Sequence, residues 1–331
     1  MPDNPQTPKA SWFSLSDHRL VAISGRDAVA FAHAQTMNDV AALRDGEWHW
    51  NGWLTPKGRV IVLFALLRID VDTLWLILPD ADADAFATQL RRFVFRSKVA
   101  IAVREDLRVS GRLQASGLAS GNHWARDFSS GNPGESARQT IELDLSGDLG
   151  CGEPGRSLRI GASVEMPVDS IDPERPDLER PDLEQADMEQ SDPENASALA
   201  QWRRADLEHG WPRLEASQAE QWTPQQLSLE RLRAYSVKKG CYPGQEIVAR
   251  THFLGQAKRG LALIRSAMPL AVAADLSSAD TKLGTVVSTA GDTALAVVSL
   301  DLQDARLQTN ESPAVGGASW NIQPLRAGMA R

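Results

Sequence analysis

Lys238 to Arg250 reads KKGCYPGQEIVAR and holds one of only two cysteines in 331 residues. Cys241 lies between Gly240 and a Tyr-Pro-Gly turn, behind two lysines and ahead of a helical run. Glycines let the backbone turn tightly and proline suits the first turn of a helix. The spacing therefore predicts a helix through GQEIVAR, with Pro243 in its first turn and Cys241 at its N-terminal end. The positive end of that helix, with Lys238 and Lys239, favours a thiolate. The residues leave two readings open: a reactive, accessible thiol, or a small hydrophobe buried in a loop, the common fate of a free cysteine. His252 follows eleven residues on, but none of the six histidines has the spacing of a nucleophile's partner. There is no C-x-x-C and no H-E-x-x-H, so no resident metal site is expected. Two cysteines cannot hold an Fe–S cluster, which takes four ligands, although Cys241 could lend one ligand to a shared or transient cluster. Cys151, in DLGCGEPG, has no supporting residues and reads as structural.

The remainder of the chain is that of an ordinary globular protein, with 42% hydrophobic and 24% charged residues. Its longest apolar run, VIVLFALL from Val60 to Leu67, is too short to span a bilayer, and MPDNPQTPKASW lacks a basic-then-apolar signal pattern. With so few cysteines, the expectation is a cytoplasmic protein without a membrane partner. The formal net charge is -8, and residues 172–196, DPERPDLERPDLEQADMEQSDPENA, hold ten acids and two arginines and so account for all of it. This stretch repeats D-x-E-x-x five times, beginning at Asp172, Asp177, Asp182, Asp187 and Asp192. It reads as a solvated, disordered insertion spanning 169–196. What remains is near neutral and shows no basic stripe, so direct nucleic-acid binding is not expected.

Three regions follow from the patterning. Residues 12–105 alternate strands and helices: RLVAI (19–23), a helix through DAVAFAHAQ behind the capping-box pair Ser24 and Asp27, strands at 48–54, 60–69 and 73–78, a helix from Asp84 to Arg96, and a strand at 99–103. Ala83, Phe86, Leu90, Phe93 and Val94 share one face of the second helix. This order is that of a ferredoxin-like split βαβ unit with one extra strand. Residues 106–250 begin with short strands, carry the acidic repeat, and continue with helices at 195–209 and 224–232 and the cysteine stretch. Residues 251–331, with LALIR, KLGTVVS and TALAVVSLD, read as a small antiparallel β-barrel. The fold class is α+β.

Lys239 to Glu246, KGCYPGQE, matches K-G-C-[FY]-x-G-Q-E, and by this motif the chain resembles the YgfZ family of folate-binding proteins. These are relatives of the glycine-cleavage aminomethyltransferase. LVAISGRDAVAFAHAQTMNDV (20–40), LTPKGRVI (54–61), LRRFVFRSKVAI (90–101) and LEHGWPRL (207–214) are also similar to family segments, so the likeness runs from about residue 12 to 325, apart from the repeat. The resemblance implies a three-domain aminomethyltransferase-like fold around a central channel, with ferredoxin-like units and a small C-terminal β-barrel. It implies tetrahydrofolate, or a derivative, as the bound cofactor. It also implies an accessory role in assembling or maintaining Fe–S clusters in client enzymes such as a radical tRNA methylthiotransferase, so that tRNA methylthiolation is affected indirectly.

By position, the family's functional thiol is Cys241, supported by Lys239, Tyr242, Gln245 and Glu246. Glu208 matches the glutamate that bonds the pterin, and a carboxylate suits the paired N–H donors of a 2-amino-pyrimidinone edge. Lys57, Arg59 and Arg250 are the cations near matched segments that could meet folate carboxylates. Asp39 ends QTMND and could line the channel, and Trp53 and Phe64 could form its walls. Two departures stand out. The transferase carries a pair of aspartates where this chain has Val62 and Leu63, so the carboxylate needed for proton transfer is missing. His209 replaces a small residue beside Glu208. The alternative, a tetrahydrofolate-dependent aminomethyltransferase-like enzyme, is therefore disfavoured, and classical catalytic turnover is not expected.

Overall fold

The computed structural model describes residues 11–114, 123–127, 140–146, 155–162, 193–255, 257–278, 281–303, 314–315, 318–327 and 329. Cys151 and the repeat through Asp192 lie outside the described residues. β1 (Phe13–Ser14) pairs with a strand of a later sheet, a union that no local pattern announces. β2 (His18–Ser24), α1 (Ala28–Gln35), β3 (Trp48–Leu54), β4 (Val60–Asp70), β5 (Thr73–Pro79), α2 (Ala83–Arg91) and β6 (Ala100–Val103) follow. Their strands form one antiparallel sheet in the order β3-β4-β5-β2-β6, the ferredoxin-like order with β3 added at the edge. β3, WHWNGWL, is buried on both faces. Its alternation places Trp48, Trp50 and Leu54 toward the middle of the molecule. Trp53 points the other way, into a core roofed by α1 and α2, where its ring meets Phe86 edge-on at 5.7 Å.

β7 (Leu107–Arg112), β8 (Trp124–Asp127), β9 (Thr140–Asp144) and β10 (Ser157–Ala162) join β1 in a second antiparallel sheet, ordered β1-β7-β10-β9-β8. α3 (Pro193–Glu208) then crosses to the centre, and α4 (Gln245–Leu254) carries the end of the cysteine motif. β11 (Arg259–Ser266), β12 (Asp275–Ser278), β13 (Thr281–Ala290), β14 (Thr293–Ser299), β15 (Ala314–Val315) and β16 (Ala318–Gln323) form a six-stranded sheet. It curls into a half-barrel that brings its edge strands β12 and β15 together. The fold is α+β, as expected.

The helix boundaries differ from the sequence reading in instructive ways. α1 is not closed by a Ser24–Asp27 capping box. The Asp27 carboxylate accepts instead from the Lys98 amide at 2.6 Å, tying the helix start to the approach of β6. α2 stops at Arg91 rather than Arg96. Beyond it the amides of Arg92, Phe93 and Val94 bond back three residues, tightening the chain and leaving Phe93 and Phe95 exposed. The segment expected as a helix at 224–232 is turns plus a short 3-10 stretch, Leu229–Leu232, bounded by left-handed Ser228 and Arg233.

All three sheets contribute to one shared core, which includes Trp48, Trp50, Val109, Leu158, Trp202, Trp211, Leu261 and Val297. A pocket of about 20 Å³ lies in it, where the Trp50 and Trp211 rings pack at a tilt with centroids 4.1 Å apart and Trp202 lies beside them. Burying polar groups at such a junction requires complete pairing. Arg213 bridges both oxygens of Asp80, Asp206 at 2.9 Å and Asp17 at 2.7 Å. Asp206 also holds Arg156 at 2.8 Å. Burial alone would raise the Asp17 carboxyl. The His18 ring at 2.6 Å and the charges of Arg213 and Arg203 overcome that and hold it far below the usual carboxylate range. Arg213→Ala, which removes a partner from Asp17 and Asp206 and strands the Asp80 carboxylate, is expected to cost about 3–5 kcal/mol in a urea unfolding experiment. A loss below about 1 kcal/mol, the worth of a surface pair, would show that this cluster does not hold the sheets together.

Candidate functional site

The chain leaves the 3-10 stretch at Arg233 and runs as irregular backbone to α4. Buried and exposed residues are interleaved along it. Lys238, Gly240 and Cys241 are exposed, while Lys239 and Tyr242 are buried. The Lys239 ammonium donates to the carbonyls of His33, Thr36 (2.6 Å) and Asn38 (3.2 Å), at and just beyond the C-terminal end of α1. Helix C-termini carry unpaired carbonyls and partial negative charge, so a cation there is well placed. The same ammonium lies 4.6 Å from the Tyr242 ring centroid. Burial pulls the Lys239 ammonium down to about 8, with Asp39 acting in the opposite sense. Burial pushes the Tyr242 phenol up to about 12.

The rest of the loop is pinned by backbone groups. The Ser236 amide donates to the Met37 carbonyl at 3.0 Å, the Tyr242 hydroxyl to the Ser236 carbonyl at 3.4 Å, and the Gln245 side-chain amide to the Lys239 carbonyl at 3.3 Å. α4 starts at Gln245, later than the sequence suggested, so Pro243 precedes the helix and Gly244 is its N-cap. Gly244 has φ +81°, and a β-carbon there would meet the Thr55 carbonyl at 2.6 Å and the Gly58 Cα at 2.7 Å. The cysteine motif and the Thr55–Gly58 turn thus pack backbone to backbone, which only glycine permits.

Beneath the loop is a polar network that sequence reading missed. Asn38 donates to the carbonyls of Trp50 (2.8 Å) and Arg233 (2.7 Å). Asn51 accepts from the Asn38 and Gly52 amides and donates to Thr36 at 3.0 Å. His49 meets Asn51 at 3.1 Å, and burial followed by the Lys239 charge pushes its imidazole down to about 3. The available signal was the presence of His49 and Asn51 inside the otherwise apolar strand WHWNGWL. Asp39 caps the turn at Val40–Ala42 and faces His33 at 3.3 Å.

The remaining expected residues fall in separate places. Lys57 and Arg59 line a cleft of about 810 Å³ with Trp53, Phe93 and Pro243, beside the cysteine motif. Arg59 donates to the Gln221 carbonyl at 2.7 Å. Phe64 is fully buried core. Glu246 and Arg250 are exposed on α4. Glu208, the last residue of α3, is buried, and its carboxylate is held by Arg265, Arg204 at 3.3 Å and Arg326 at 3.2 Å. Beside it, His209 is buried with Nδ1 donating to the Ala327 carbonyl at 2.7 Å. Burial, then the Arg156 charge, pushes His209 down to about 4. Among the described residues no group of three or more His, Cys, Asp or Glu is placed to hold a metal ion. No helix among them is long and apolar enough to cross a membrane.

No family model matches the chain. It is 28% identical over 269 residues to the tRNA-modifying protein YgfZ of Cronobacter sakazakii, covering 78% of this chain and 74% of that protein. The YgfZ protein of Klebsiella pneumoniae is 27% identical over 248 residues, covering 75% and 69%, and that of Colwellia psychrerythraea 24% over 266 residues, covering 80% and 75%. The crystal structure of the glycine cleavage system aminomethyltransferase T from Bartonella henselae superposes with a TM-score of 0.61 over 96% of this chain and 86% of that one, at 14% identity. The chain thus resembles the YgfZ-type proteins along most of its length and has the aminomethyltransferase fold.

His49 and His209 make stability depend on pH. Both are held neutral in the folded state, with values of about 3 and about 4 against an ordinary 6.5. Below pH 6.5 the unfolded chain takes up protons that the folded chain refuses, so stability is full above that pH and falls as pH drops toward 4. Each histidine adds a slope of about 1.4 kcal/mol per pH unit. Urea midpoints between pH 7 and 4.5 should fall accordingly, and His209→Gln should flatten the profile. A profile unchanged by that substitution would mean that His209 is not buried neutral.

Proposed function

We propose that this chain is a folate-binding accessory protein that supports the assembly or maintenance of Fe–S clusters in particular enzymes, and that its effect on tRNA methylthiolation is indirect. The observation that carries this reading is the presentation of Cys241. The residues on either side of the thiol are anchored by Lys239, Tyr242 and Gly244, while Cys241 itself stays in solvent. A thiol held in this way is suited to meet a second protein, because its own fold offers it no buried partner to react with. One thiolate cannot retain a cluster, so its part is to lend a single ligand or exchange partner while the client enzyme supplies the others. Lys239, Tyr242 and Gln245 position the loop. Glu246 and Arg250, exposed on the helix that follows, belong to the face a client would meet.

Val62 and Leu63 support an accessory role over one-carbon transfer. Both are buried apolar residues, so no carboxylate stands where an acid or base would act on a folate. The name of the YgfZ relatives links those proteins to tRNA modification, and in this reading the link runs through the modifying enzyme.

Tetrahydrofolate fits the chemistry of Glu208, whose carboxylate could take two pterin N–H donors. In this structure the Glu208 oxygens are engaged by Arg265, Arg204 and Arg326, which such a ligand would have to share or displace. Lys57 and Arg59, which line the open cleft together with Arg92, are the expected cations placed for an outer carboxylate.

The function is tested by tRNA methylthiolation in a bacterium lacking its own YgfZ-type protein. Wild type should restore the modification, and Cys241→Ser, at equal soluble level, should not. Equal rescue by both would remove Cys241 from the mechanism. No rescue by well-expressed wild type would remove the proposed role.

A further inference from the structure

Beside the cysteine motif, the β3–β4 turn and the chain leaving α2 border the cleft of about 810 Å³. Trp53, Ile61, Phe93 and Pro243 give it an apolar lining, and Lys57, Arg59 and Arg92 bring three cations to it against one acid, Glu220. Among the described residues none of these cations is in an ion pair. Arg204, Arg213 and Arg265, by contrast, each meet carboxylates of this chain. The cleft is held in shape by backbone groups. The Val60 amide donates to the Trp222 carbonyl and the Glu220 amide to the Val60 carbonyl, both at 2.8 Å, so residues 220–222 are fastened to the start of β4. The Arg59 guanidinium donates to the Gln221 carbonyl at 2.7 Å and to the Gln226 side-chain oxygen at 3.3 Å, neutral acceptors that fix its place and leave its charge unanswered. The Phe93 ring meets Trp53 edge-on at 5.8 Å yet keeps 47% of its surface exposed, and Phe95, two residues on, is 93% exposed. Large apolar side chains left in solvent beside unpaired cations mark a contact surface.

We propose that this cleft is the docking site for an extended segment of a client protein in which acidic residues flank one or two large apolar side chains. The carboxylates meet Lys57, Arg59 and Arg92, and the apolar side chains cover Ile61, Phe93 and Pro243. Two observations choose this occupant. Three cations without counter-charges favour carboxylates. The apolar lining favours side chains over a nucleic acid, whose charged backbone needs a basic track rather than a single cleft. The cleft also adjoins the thiol. Cys241 stands two residues before Pro243, so their Cα atoms are no more than about 7 Å apart. Gly244 packs that same stretch against the Thr55–Gly58 turn that carries Lys57. A segment seated here brings its client's own ligand groups toward Cys241. The inference takes from the accessory reading only that the occupant belongs to a client; the site itself rests on the cleft, its cations and its exposed rings.

The test uses a blocked peptide, Glu-Phe-Leu-Glu-Gly-Cys, whose cysteine carries a thiopyridyl group. It is added to the full chain with Cys151→Ser, so that Cys241 is the one thiol left. The Cys241 thiolate attacks the peptide sulfur, the bond to thiopyridine breaks, and the departing thiolate takes up a proton and is read by its absorbance. This peptide should react about tenfold faster than versions with glutamine for both glutamates or with serine for phenylalanine and leucine, the worth of two exposed ion pairs or of one buried apolar side chain. Lys57→Glu/Arg92→Glu and Phe93→Ser should each erase the advantage, while Cys241 keeps its rate with iodoacetamide. Equal rates for the three peptides, or an advantage kept by both variants, would overturn the docking site. So would stronger competition by oligouridylate or by 5-formyltetrahydrofolate than by the cysteine-free peptide, which would give the cleft to that ligand. In the methylthiolation assay the charge-reversed protein, at equal soluble level, should lose the rescue. Full rescue by it would overturn the cleft as the client's dock and leave the accessory reading standing. Accelerated peptide labelling with no rescue by wild type would remove that reading and leave the docking site.

Discussion

A buried ammonium must find oxygen, and Lys239 finds it where α1 ends. Three carbonyls at and just beyond the end of the helix take its three protons, and the Tyr242 ring covers its side. Much of what gives the site its shape depends on this one contact. It fixes the inward residues of the loop, Lys239 and Tyr242, and between them Gly240 and Cys241 lie in solvent. It also joins the cysteine motif to the first sheet through Thr36, Asn38 and Asn51, so the thiol is positioned by a strand edge rather than by a free loop. Gly244 completes the attachment by allowing α4 to start against the Thr55–Gly58 turn.

The middle of the molecule obeys a related constraint. Charges cannot be left unpaired where three sheets meet, and Arg213, Arg156 and Asp206 satisfy each other there with Asp17 and Asp80. Tryptophans fill the space that remains. This junction joins the three sheets. The exposed thiol and the buried Glu208 carboxylate stand at separate places, one on the loop before α4 and the other at the end of α3.

The sequence carried some of this plainly. Alternation in WHWNGWL and VIVLFALLRID made the central strands legible, and KGCYPGQE marked the thiol. Helix ends were less legible. Phe93 and Val94 continue the apolar face of α2, so nothing local announces that the backbone tightens after Arg91. The inward turn of Lys239 was hidden for a different reason, since a lysine beside a cysteine reads as a charge near a thiol whichever way it points. The junction network was out of reach altogether. Arg156 and Asp206 are 50 residues apart, and Arg213 and Asp80 are 133 apart, with no periodicity linking them. Arg326 gave no signal either, because its role exists only against Glu208.

The most direct measurement is peptide-resolved alkylation of the native protein by iodoacetamide, comparing Cys241 in the folded chain with Cys241 in denaturant. If the loop holds the thiol outward, Cys241 in the folded protein is labelled at a rate within about threefold of the unfolded chain, as an accessible thiol should be. The labelled protein then keeps its unfolding midpoint, because the thiol is exposed. Protection of Cys241 by a hundredfold or more, or unfolding on labelling, would place the thiol in the interior and contradict the account.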